Sequence, residues 1–174
     1  MLQLPLINKV LLGAVVLAAL IDLMSRKIPN WLVLSGFCIA FTFHLLNDPH
    51  DLPLIWLGGA ATGFFFFLPH YLMRGMAAGD VKLMAMVGSF TGPMLALKIG
   101  LISFLFGGVI ALIIVIFNRR LRDTINNVRF LLIPILMRIS GLPTVPAALP
   151  SALSVGGMPY GVAIALATAL TFST

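Results

Sequence analysis

The chain contains no glutamate, a single cysteine and only five acidic residues, all of them aspartate. Just 9% of its 174 residues are charged, against 60% hydrophobic, and the mean hydropathy is +1.11. A soluble domain of this size needs a polar shell, which this composition cannot supply. The lone Cys38 excludes an internal disulfide and a CxxC zinc site. Inside an apolar run it reads as a small packed hydrophobe. No HExxH and no Ser-His-Asp grouping is present, which disfavours zinc and serine intramembrane chemistry.

What the sequence has instead is continuous apolar length. The runs do not alternate, and most are long enough to cross a hydrocarbon core of roughly 30 Å, so the expected fold is all-α rather than a barrel. A polytopic membrane helix bundle of about six spans, forming one domain over residues 1–174, fits the pattern. Span 1 covers Leu4 to Leu23 and is expected to be retained, since no basic residue precedes Lys9 and no small-x-small cleavage site follows the run. A residue before proline avoids helical angles, so the helix should stop before Ile28, and Pro29 can open the next one. Span 2 runs from Trp31, placed as an interfacial anchor, to Leu46.

Span 3 covers Leu52 to Tyr71, with Gly58, Gly59 and Gly63 on a close-packing face. Span 4 runs from Asp80 to Gly92-Pro93. It is short and needs cover from its neighbours or extension into loops. Span 5 covers Leu95 to Phe117 and span 6 Gly161 to Phe172. Residues 118–129 form the main basic loop. Residues 130–139 are too short to span and read as interfacial, and Pro143, Pro146 and Pro150 mark an irregular stretch.

The net charge of +6 would suggest nucleic acid in a soluble protein. Here the bases sit in short loops, where they set topology and meet anionic lipid, and no nucleic-acid partner is expected. Arg26 and Lys27, Arg74 and Lys82, and Arg119 to Arg138 mark one face, which the positive-inside rule assigns to the cytoplasm. Asp22 and Asp80 then fall at that same face of the cytoplasmic membrane.

An ionisable residue at the end of a span is costly and usually faces a cavity. Each aspartate has a plain structural reading: Asp80 as the N-cap of span 4, Asp22 as the partner of Arg26 one turn on. The chemical reading pairs them. Two carboxyl groups a few ångströms apart share one proton, so one can activate water while the other protonates a carbonyl oxygen. Helix dipoles suggest an order: Asp80, near a helix N-terminus, as the ionised member and Asp22, near a C-terminus, as the protonated one.

"GMAAGDVKL", residues 75–83, resembles the GxGD signature of the prepilin peptidases, membrane aspartic proteases that trim type IV pilin precursors. Asp22 followed by "RKIPN" is similar to that family's first motif, and "MPYG", residues 158–161, to the segment entering its last span. The resemblance implies that Asp22 and Asp80 are catalytic. It gives supporting places to Gly79, Lys82, Pro29, Asn30, Pro159, Tyr160 and Gly161. It implies no metal and no cofactor. It also implies a prepilin substrate with a basic leader, a glycine ahead of the scissile bond and a hydrophobic helix behind it.

The first signature glycine is Ala77 here. With one cysteine and no paired CxxC motifs, the chain resembles the short, peptidase-only branch of tight-adherence (Flp-type) systems, for which no methyltransferase activity is expected. An archaeal preflagellin-type peptidase is a cousin within the same class. Other classes remain: a proton-coupled carrier, which would place its acids near the midplane and often carry an inverted repeat, and a non-catalytic assembly factor, which would tolerate asparagine at both positions.

Lys82 is expected to snorkel rather than pair with Asp80, since positions two apart face different sides of a helix. Asp48, His50 and Asp51 read as a solvated turn, His44 and His70 as interfacial. Met73, Met76, Met84 and Met86 read as packing or groove-lining residues, and the "FFFF" of residues 64–67 as packing and lipid-facing bulk.

Overall fold

The computed structural model describes residues 4–47, 49–51, 53–73, 75–117 and 160–173, and these are helical with short connections. The helices are α1 (Leu4–Ser25), α2 (Asn30–Asn47), a π-helical turn (Pro53–Gly58) running into α3 (Gly59–Leu72), α4 (Ala78–Phe117) and α5 (Tyr160–Ser173). Four stretches are long and apolar enough to cross a membrane: Leu6–Ser25, Asn30–Asn47, Pro53–Leu72 and Ala78–Phe117; α5 is a shorter apolar helix. The protein is therefore a multi-pass, all-helical membrane protein. Pro159, the basic loop 118–129, the segment 130–139, the prolines at 143, 146 and 150, and Asp48 and Arg74 lie outside the described residues.

The chain divides into two compact units, Met1–Gly108 with Gly157–Thr174, and Val109–Gly156. The described part of the second is the end of α4.

Forty residues of unbroken helix would extend about 60 Å, twice a bilayer core. The single element α4 is divided at Gly92, whose φ of 80° lies where L-residues are strained, and Pro93 follows. Spans 4 and 5 of the sequence thus exist as two arms of one kinked element, with the break at the expected place. The first arm is the centre of the unit. Every residue from 83 to 90 is buried, and Leu83, Met84, Met86, Val87 and Ser89 are fully so. A short span is tolerable because other helices, rather than lipid, surround it.

That burial requires backbones to approach closely. A β-carbon built on Gly59 would meet the backbone of Gly88, and one on Gly63 the backbone of Met84 and Ala85. Small residues at such crossings replace the hydrophobic drive that lipid removes. Gly88→Ala should overpack the crossing at a cost of about 1–3 kcal/mol. Thermal unfolding in detergent is then expected to fall by roughly 3–10 °C. An unchanged midpoint would show that the crossing can relax.

Two expectations need correction. Cys38 is exposed rather than packed inside, because it lies on the outward face of α2 while Gly36 and Ala40 face inward. His44 is buried rather than interfacial, edge-on to Phe43, and its Nε2 has no hydrogen-bond partner among the described residues. The phenylalanine run behaves as read: Phe67 is fully buried and stacks on Phe104, while Phe65 faces outward.

Candidate active site

The end of α1 and the starts of α2, α4 and α5 meet at one end of the bundle. Helix α1 stops at Ser25, and Arg26 follows with φ 52°, the only positive φ in a non-glycine residue among the described residues. Its N–H donates to the carbonyl of Asp22 at 2.8 Å. This is the left-handed stop that glycine usually supplies, and an L-residue there costs roughly 1–2 kcal/mol. Helix α2 begins at Asn30, directly after Pro29 and one residue before the expected Trp31, with the Pro29 carbonyl accepting from the Leu32 N–H at 3.2 Å.

Asp22 is 6% exposed and Asp80 3%. Both line one cavity of about 220 Å³, with Arg26, Lys27, Ile28, Asn30, Ala77, Gly79 and Lys82. The two motifs, more than fifty residues apart in the chain, therefore share one wall.

Each acid is held by a backbone amide. The Gly161 N–H, at the start of α5, donates to Asp22 Oδ2 at 3.0 Å. The Ala77 N–H donates to Asp80 Oδ2 at 3.1 Å. Asp80 is thus in the first turn of α4 but is not its N-cap; it reaches back to the residue before the helix, as the third helical residue does in a capping box. Among the described residues Oδ2 of each carboxylate accepts such a bond. The arrangement also removes the dipole argument that separated the two acids. Asp22 closes α1 but lies against the N-terminus of α5, so both carboxylates face helix N-termini.

The glycines of the motifs have steric reasons. A β-carbon on Gly161 would stand 3.0 Å from Asp22 Oδ2 and 3.2 Å from its Cβ. One on Gly79 would stand 3.2 Å from Ile28 Cβ, so the start of α4 rests on the linker between α1 and α2. Ala77 has no positive φ, so alanine occupies the place of the first signature glycine without backbone strain. Gly79→Ala should cost about 1 kcal/mol, and Ile28→Ala in the same chain should restore part of the loss. Unfolding midpoints of the two single variants and the double variant check this.

Tyr160 opens α5 and is 8% exposed. Its ring lies edge-on to Phe67 (5.9 Å) and Phe104 (6.2 Å) and fills the space over Gly107, where a β-carbon would fall 2.7 Å away. It anchors the helix end that carries the Gly161 amide. Lys82, read as a snorkelling base, instead donates from Nζ to Asn30 Oδ1 at 3.0 Å, tying α4 to α2. Sequence reasoning missed that pairing; the one signal was that Lys82 could not face Asp80.

Comparison with known proteins gives one family. The model for the type IV leader peptidase family matches residues 9–112, a stretch that contains both aspartates and ends before α5. No match was found among curated proteins or among solved structures.

Proposed function

The chain belongs to the type IV leader peptidase family, and on that premise we propose that it is a membrane aspartic endopeptidase that removes the basic leader of type IV, Flp-like prepilins at the cytoplasmic face of the cytoplasmic membrane. The observation that carries this reading is the pairing of buried Asp22 and Asp80 in one cavity. Two acids from different helices, each with one oxygen fixed by a backbone amide, make a preorganised pair.

The pair works with one proton between its members. The ionised carboxylate takes a proton from a water as that water's oxygen attacks the scissile carbonyl carbon. The protonated carboxyl gives its proton to the carbonyl oxygen, forming a neutral tetrahedral diol. Collapse of the diol breaks the C–N bond. A proton passes to the departing amine, and the pair is left again with one proton. The chemistry calls for no cofactor.

The place of the acids supports a peptidase over a carrier. They sit at one end of the bundle, where a substrate's extended leader can meet them while its apolar helix stays in lipid; a carrier would hold its acids near the midplane.

Co-expression with small prepilins from the same genome tests the proposal. The expected result is a shorter pilin whose new N-terminus begins immediately after the leader glycine, read by N-terminal sequencing. Leaders that stay uncut across all candidate pilins, with the peptidase well expressed, would count against it.

A further inference from the structure

Asp22 and Asp80 stand on different helices, so their spacing depends on whatever ties the end of α1 to the start of α4. Among the described residues two contacts do so at the cavity rim. Gly79 rests on Ile28, and Lys82 Nζ donates to Asn30 Oδ1 at 3.0 Å. We propose that the Lys82–Asn30 hydrogen bond is a latch that sets the spacing of the two aspartates, making Lys82 and Asn30 positioning residues for cleavage. The inference rests on the aspartic peptidase reading given above.

From Asp22 to Asn30 the chain is stiff. The Asp22 carbonyl accepts the Arg26 N–H, Arg26 is locked in the left-handed region, and Pro29 fixes its own φ and restricts Ile28 before it. From Asp80 to Lys82 the chain is about half a turn of helix. The hydrogen bond joins the free ends of these two rigid arms and closes a ring around the cavity, whose lining includes all four residues. Lys82 and Asn30 are both exposed, so the bond contributes little to stability. What it changes is geometry, and a misplacement of about 1 Å costs on the order of 100-fold in rate.

The test uses purified full-length chain with a prepilin substrate, and the variants Lys82→Met, Asn30→Ala, their double, and Asn30→Asp. Each of the first two should lower kcat at least about tenfold while KM changes less than about twofold, with thermal unfolding nearly unchanged. The double variant should fall within about twofold of the weaker single variant, because one bond is lost in all three. Asn30→Asp, which keeps the oxygen acceptor, should recover part of the rate lost in Asn30→Ala. A higher KM at intact kcat, multiplied effects in the double variant, or wild-type kcat in Asn30→Ala would overturn the latch.

A second readout needs no substrate. With Cys38→Ala, Asp22→Cys and Asp80→Cys, the rate of oxidative cross-linking reports the spacing directly. Adding Lys82→Met should slow it about tenfold, scaled to the expected displacement; an unchanged rate overturns the latch. Failure of the parent chain to cleave any prepilin would count against the peptidase reading, while the cross-linking rate still decides the latch.

Discussion

Replacing either aspartate with asparagine is expected to abolish leader cleavage. Asp22→Asn and Asp80→Asn are nearly isosteric, and each keeps an oxygen that can accept the amide now bound to it, Gly161 or Ala77. The fold should therefore survive, and both variants should reach the membrane at parental levels. Neither can exchange a proton with water or with a carbonyl. The loss should be at least about 10³-fold in kcat, equivalent to about 4 kcal/mol of transition-state stabilisation. Because the two acids act as one unit, the double variant should be no worse than either single one. Quantifying residual processing by mass spectrometry, with expression matched, checks all three statements. Equal, substantial cleavage by both single variants would remove the pair from the mechanism and favour a non-catalytic role.

The second large effect should come from Gly161, a residue with no chemistry of its own. Its N–H fixes Asp22, and its missing side chain leaves room for that carboxylate, with a β-carbon position only 3.0 Å from Oδ2. Gly161→Ala should push the carboxylate aside and lower kcat on the order of 10–100-fold. Gly161→Val should remove measurable activity. The stability cost should be only that of overpacking, about 1–3 kcal/mol. Leader processing beside thermal unfolding separates the two effects. Parental activity in Gly161→Val would show that Asp22 does not need its present position.

The limits of sequence reading follow from physics. Apolar length and proline placement located the helices. Pro29 preceded the start of α2, and Gly92-Pro93 marked the break in α4. The two aspartates stood out because acids are scarce in an apolar chain, and their shared face followed from loop charges. What pattern could not supply was contact between elements distant in the chain. The closeness of Gly161 to Asp22 spans 139 residues and that of Lys82 to Asn30 spans 52; neither leaves a periodic trace. The dipole argument for ordering the acids lost its basis for the same reason, since it counted only each acid's own helix. Cys38 and His44 were misplaced because a lipid-facing side and a core-facing side are equally apolar in a membrane helix, so hydrophobicity does not tell them apart.

The pH dependence of kcat/KM tests the shared-proton pair most directly. Cleavage needs one carboxylate and one carboxylic acid. Activity should therefore be lost at low pH, where both are protonated, and again at high pH, where both are ionised, giving a bell whose two limbs belong to the pair. Purified chain in lipid vesicles, a single prepilin substrate and initial rates across the acid-to-alkaline range supply the curve. A bell with unit slopes on both limbs is the predicted result. A rate that climbs without a falling alkaline limb would mean that no protonated partner is required, and would contradict the paired-aspartate account.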